Sequence, residues 1–215
     1  MDLKTGRASS WKKERGGGSF ARPDTKLDVI EFNGSLSTTG GVGTGDDWLT
    51  KAYGEGGGAY NVEFGSGQAA DPVVTQANGD NLMQAATFNT FGRAVKITEA
   101  NMCMSKQGGN ADSTVDLAVT YLDVRNVADT TVGGTVVPGT TFGALGVTYT
   151  STLLAKKTGM LAPSDTDVFT CHDLNSTFKG LTIPEGCLVF ICVRDTTGGT
   201  NNAIGINGSF IIQML

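Results

Sequence analysis

"GCLVFICVRDTTGGTNNAIGINGSFIIQML" (186–215) carries two strand-length runs that decide the fold class. In the first, Cys187 to Val193 is apolar without a break, the pattern of a central strand covered on both faces. In the second, Ile204, Ile206, Phe210, Ile212 and Met214 share one face while polar and small residues take the other, the alternation of a half-buried strand. "DTTGGTNN" (195–202) between them reads as a hairpin loop, and "IPEG" (183–186) puts Pro184 and Gly186 at turn positions.

The same texture extends upstream. "STVDLAVTYLDV" (113–124) places Val115, Leu117, Val119 and Tyr121 inward and Asp116, Ala118 and Thr120 outward. In "RAVKITEANMCM" (93–104), Val95 and Ile97 share a face, then Ala100, Met102 and Met104 do, an even–odd switch that predicts a bulge near Glu99. "LGVTYTSTLL" (145–154), "TDVFTC" (166–171), "AYNVEF" (59–64) and "LDVIEF" (27–32) add further strands, and "DNLMQAA" (80–86) is expected to form a short helical turn. Glycine at 31 of 215 residues, with only 17% charged, also opposes a helix-rich protein. The expected class is all-β: a jelly-roll-like β-sandwich over 93–215, preceded by Gly-rich loops and short strands over 33–92 and an extended arm over 1–32.

In "AVKITEANMCM", the strand "STVDLAVTYLDV" taken as its pair, and "LTIPEGCLVFICVRDTTGGTNNAIGINGSFIIQML", the order of strands, turn and closing hairpin resembles the jelly-roll domains of tailed-phage virion proteins. Pro184, Gly186 and Leu188 to Val193 carry that likeness, which covers about 93–215; trimeric jelly rolls of the tumour-necrosis-factor type share the wording. The resemblance implies a virion component, often trimeric: a capsid decoration protein, fibre head or tail adaptor.

Residues 1–26 hold seven Lys or Arg against Asp2, Glu14 and Asp24, a charge of +4, which leaves nine basic against eighteen acidic residues, −9, on the other 189. A basic arm is attached to an acidic body. Within "SSWKKERGGGSFARPD" (9–24), only Trp11 and Phe20 are large and apolar, so the stretch buries too little surface to offset its ordering entropy by itself. Trp11, Lys12, Lys13, Arg15, Phe20 and Arg22 are therefore the expected partner-binding residues, with the cations on acidic rims and the rings in apolar notches of another subunit. Nucleic acid is a poorer partner, because the body's charge repels phosphate and no nucleic-acid-binding module is present.

Chemistry leaves few traces. His172 is the only histidine, and in Cys171–His172–Asp173 adjacent residues of an extended chain point in different directions. "SDTD" (164–167) and "NGDN" (78–81) lack a calcium loop's distal Glu, and no paired Cys motif offers a zinc site. "GGVGTGDD" (40–47) and "GEGGGAY" (54–60) lack the Lys-Ser/Thr of a phosphate loop. Neither an enzyme, a metal nor a cofactor is expected. The longest apolar run, seven residues, is short of a membrane helix, and no apolar core follows the basic N-terminus as in a secretory signal. Cys103, Cys171, Cys187 and Cys192 are expected as reduced core thiols, with Cys187 and Cys192 on opposite strand faces and unable to pair. The expected function is a non-enzymatic capsid decoration or cement protein, assembled in the host cytoplasm into the virion as a homotrimer on the major capsid protein. The alternative is a tail or fibre component, an adaptor or a receptor- or glycan-binding head, a reading that exposed loop aromatics such as Tyr53 and Tyr60 near Trp48 would favour.

Overall fold

Val95–Gly108 forms β5, the longest strand, and its two-part apolar pattern is matched by a bulge against β13 (Ala203–Met214). Ile211 pairs with Glu99 and Ile212 with Ile97, so Thr98 is the extra residue. Val95 and Ile97 before it, and Ala100, Met102 and Met104 after it, all stay buried. The face switch expected near Glu99 is present.

The computed structural model describes residues 26–37, 47–51, 59–63, 71–72, 86–108, 112–125, 130–132, 135–137, 151–164, 168–197 and 203–215. Besides β5 and β13 they contain β1 (Leu27–Ser37), β2 (Leu49–Lys51), β3 (Ala59–Glu63), β4 (Phe88–Asn89), β6 (Ser113–Asp123), β7 (Thr130–Val132), β8 (Thr135–Val137), β9 (Thr152–Ala162), β10 (Phe169–Asp173), β11 (Thr182–Ile183) and β12 (Cys187–Asp195). One four-residue helix, α1 (Asn175–Phe178), interrupts them. No helix among the described residues is long and apolar enough to cross a membrane.

The chain is all-β, and the main sheet runs β10-β5-β13-β1-β3-β2-β12-β6-β9. Its half β10-β5-β13-β1 is antiparallel, as is its half β3-β2-β12-β6-β9. A short parallel contact of Ser35 and Leu36 with Ala59 and Tyr60 joins the halves. The sheet curls so that its ends meet: the His172 ring on β10 lies 3.1 Å from the Leu161 carbonyl on β9. Between the halves lies the main core, drawn from Phe32 and Leu36, the inward residues of β5 and β13, Val115, Leu117 and Val119 of β6, and Cys187, Val189, Ile191 and Val193 of β12. Phe178 of α1 closes one region of it, edge-on to Phe210 at 5.5 Å between centroids.

β12 is buried on both faces, as its unbroken apolar run requires. β6 is too: Asp116, Ala118 and Thr120, expected outward, are buried. Several connections differ from expectation because strands adjacent in sequence lie in different halves of the sheet. β12 pairs with β6, β2 and β4, and β13 with β1 and β5, so β12 and β13 lie in different halves and do not form the expected hairpin. β5 and β6 likewise do not pair; β6 lies between β12 and β9. The strand expected over 145–154 begins at Thr152 and continues to Ala162, and that expected over 166–171 is Phe169–Asp173. Residues 145–150 and the turn expected at 80–86, except Ala86, lie outside the described residues.

The cysteine reading needs a larger correction. Cys103 and Cys171 face each other in the β5–β10 register with Cα atoms 4.0 Å apart and form a disulfide. They are not core thiols: Cys103 is half-buried and Cys171 exposed, on the outer face of the sheet. Cys187 and Cys192 are buried thiols on opposite faces of β12, as expected.

Candidate partner-binding surface

The expected arm contacts, Trp11, Lys12, Lys13, Arg15, Phe20 and Arg22, lie outside the described residues. The point where the arm joins the body is described. Leu27 pairs with Gln213, the Met214 amide donates to the Lys26 carbonyl at 3.1 Å, and the Leu215 amide donates to Ala94 at 3.0 Å. The arm therefore leaves the body beside the last residues of the chain.

A groove of about 350 Å³ opens at this place. Ile30 of β1, Val95 of β5, and Ile212 and Met214 of β13 form one wall, and residues 88–93 form the other. The second wall is tied down through Thr90. Its hydroxyl donates to Pro184 O at 2.6 Å and accepts from the Cys187 amide at 3.0 Å, while its carbonyl accepts from Gly186 at 2.8 Å. Gly186 is in a turn, as the "IPEG" reading expects, and its φ of +79° lies in the left-handed region that favours glycine. Phe91 is 46% exposed at the groove, with Leu27 and Leu215, 60% and 55% exposed, beside it in sequence to the lining residues Asp28 and Met214. Asp28 and Arg93 supply one charge of each sign, and neither makes an ion pair among the described residues.

The outer face of β10-β5-β13-β1 is set by register into rows. One row is Cys171, Cys103, Asn207 and Asn33; the next is Asp173, Asn101, Ser209 and Glu31; another is Phe169, Ser105, Gly205 and Ser35. Glu31, Glu99 and Asp173 give this face exposed carboxylates of the kind a basic arm would pair with. Gly34, Gly205 and Asn207 floor a second groove of about 210 Å³, edged by Cys103, Ser105 and Phe169, whose ring is 74% exposed.

Residues that could have carried chemistry are otherwise engaged. Cys171 is in the disulfide, and His172 points to the opposite face of β10 from Cys171 and Asp173, so the triplet assembles no nucleophile and base. No cluster of three or more metal-ligating side chains occurs among the described residues. In "SDTD", the Ser164 amide donates to Asp112 at 2.8 Å, and residues 165–167 lie outside the described set, as does "NGDN". Burial raises the thiol pKa of Cys192; at Cys187 burial raises it first and the Asp123 charge next. Neither thiol is a nucleophile at neutral pH. Trp48, expected at an exposed loop, is fully buried, with the Arg194 guanidinium carbon 4.5 Å from its ring centre. Arg194 in turn donates twice to Asp116 Oδ2, at 2.9 and 2.8 Å. The side chains of Tyr53 and Tyr60 are outside the described residues.

No family model matches the chain, and neither does any curated protein sequence.

Proposed function

We propose that the chain is a non-enzymatic structural protein of a tailed-phage virion, a capsid decoration or cement protein with a jelly-roll body held to the shell by residues 1–26, the part of the expected 1–32 arm that precedes β1. The observation that carries this reading is strand order. Counting the long strands along the chain, with β2 and β3 together as the second, one half of the sheet runs first-eighth-third-sixth and the other second-seventh-fourth-fifth. That order supports the jelly-roll reading, in which two Greek keys interlock. The charge contrast of +4 on residues 1–26 against −9 on the remainder supports a clamp that crosses between acidic subunits, with the major capsid protein as partner and a homotrimer as the assembled form. An arm of this composition orders on docking and adds contact area across the joint.

The 210 Å³ groove with the exposed Phe169 ring beside Ser105 and Asn207 favours a second reading, a tail or fibre head that binds a receptor or glycan. One measurement separates the two: copies of this chain per purified particle, by quantitative mass spectrometry against the shell protein. Copies comparable with the shell protein are expected. A tail-like count moves the assignment to the second reading, and absence from particles overturns both. Trypsin supplies the companion test, since Lys12, Lys13 and Arg15 should be cut far more slowly in particles than in free protein.

A further inference from the structure

We infer that the groove between residues 88–93 and the β1/β13 ends is the receptor for the arm of a second copy of this chain, taking Phe20 or Trp11 between Phe88, Phe91 and Met214. This rests on reading the arm as a clamp, and it names which subunit that clamp grips.

The groove's size is that of a site for a small ligand or one large side chain, about 350 Å³. Its lining is mainly apolar: Ile30, Val95, Ile212 and Met214 on one side and Phe88 and Phe91 on the other, where Asn89, Thr90 and Arg93 also line it. Either of the two aromatic residues in 1–25 matches such a slot, and the charged residues beside them, cations with Glu14 and Asp24, find one partner of each sign in Asp28 and Arg93 of the lining.

Where the chain leaves the body points to another copy as the donor. The first described residue, Lys26, is held by Met214, itself a lining residue, so each copy presents an arm and a groove at one rim. Phe20 lies only six residues before Lys26, and Pro23 restricts Arg22 to extended conformations, which works against an immediate return into the same groove. Extended, the 25 residues before Lys26 reach about 80 Å, ample for a neighbour. Donor and acceptor surfaces differ, so the contact is head-to-tail and closes in a cyclic assembly such as a trimer. Exchange also places a +4 arm against a neighbouring −9 body, which lowers the repulsion between copies.

The test uses the full-length protein with a photoreactive benzoylphenylalanine at position 91, an exposed site. Equal amounts of ¹⁴N- and ¹⁵N-labelled chains are unfolded, mixed, refolded together, irradiated and digested. Crosslinks from position 91 to peptides within residues 9–22 are expected, about half of them joining a light to a heavy peptide, as random exchange between copies requires. Crosslinks confined to one label mean the groove takes its own arm, and crosslinks elsewhere or none mean it takes no arm; either result overturns the inference. The particle count is independent: shell-like copy number without arm crosslinks would leave the cement reading standing and this inference refuted, and the reverse would do the opposite.

Discussion

The Phe32 ring packs against Gly208, its pair in the β1–β13 register, so that a Cβ on Gly208 would collide with Phe32 Cζ and come within 2.8 Å of the Asn101 carbonyl oxygen. Glycine is required here for space, because Phe32 also stacks on Phe210 at 5.2 Å and has little room to retreat. Gly208→Ala should therefore destabilise by about 2 kcal/mol through overpacking, read as a lower urea midpoint with an unchanged slope. Pairing it with Phe32→Leu should recover part of the loss; two additive effects would mean that the ring is not what opposes the methyl group.

The Cys103–Cys171 disulfide closes a separation of 68 residues and fastens the edge strand β10 to β5. In the chain-entropy account, a loop of that size is worth about 4 kcal/mol, an upper figure for what reduction removes. Thiol counting checks the pairing directly. Native protein should show no rapidly reacting thiol, unfolded unreduced protein two, and unfolded reduced protein all four. Four thiols without reductant would show that the bond does not form. The Cys103→Ala/Cys171→Ala protein should fold and lose stability by no more than that figure, with the earliest loss of amide protection in β10.

How much of this could be read in the sequence depended on whether a residue's role was local. Alternation located β5, β6 and β13, and the switch from Ile97 to Ala100 placed a bulge that pairing puts at Thr98, because side-chain period is a property of the strand itself. β9 was legible only at its start. Its middle, "AKKTG", belongs to a strand at the sheet's end, where lysines are favoured, and Gly159 at φ +73° breaks the register opposite Asp116. Partner choice was not legible, since β5 and β6 adjoin in sequence yet fall in opposite halves of the sheet. The disulfide left a signal: Met102 and Met104 in the core set Cys103 on the outer face, the wrong side for a core thiol. The expectation of reduced thiols rests instead on the rarity of disulfides in the cytosol. The proposed arm contacts remain a sequence argument, while the groove at the arm's root came from three-dimensional placement of Phe88, Phe91 and Met214, residues far apart in the chain.

Asp116 is the hub of a largely buried polar group. Its Oδ2 accepts both Arg194 bonds and its Oδ1 accepts the Gly159 amide at 2.8 Å, while the Asp116 and Arg194 side chains are 5% and 15% exposed. Asp116→Leu removes the acceptor of two guanidinium bonds and of a buried amide bond, and should cost about 3 kcal/mol. The double variant Asp116→Leu/Arg194→Met removes both charges from the interior and should be the more stable of the two, by at least 1 kcal/mol or so. Equal stability by urea unfolding would show that contacts other than Asp116 hold Arg194.

The buried thiols make stability fall at alkaline pH. An unfolded cysteine titrates near 9.0, whereas burial raises the Cys192 pKa in the folded chain. Below pH 9 both states keep the proton and the thiol's contribution is fully present. Above it the unfolded chain releases a proton that the folded chain retains, so stability declines as pH rises toward the folded pKa, by up to about 1.4 kcal/mol per pH unit for each such thiol. Cys187, raised by burial and by Asp123, acts in the same direction. Cys192→Ala carries a constant penalty for lost packing and removes one proton's share of the slope. Urea midpoints at half-unit steps from pH 8 to 10.5 should therefore run parallel for the two proteins up to about pH 9 and converge above it. Curves parallel throughout would show that the Cys192 thiolate is as accessible folded as unfolded, which its place in the doubly covered strand β12 does not allow.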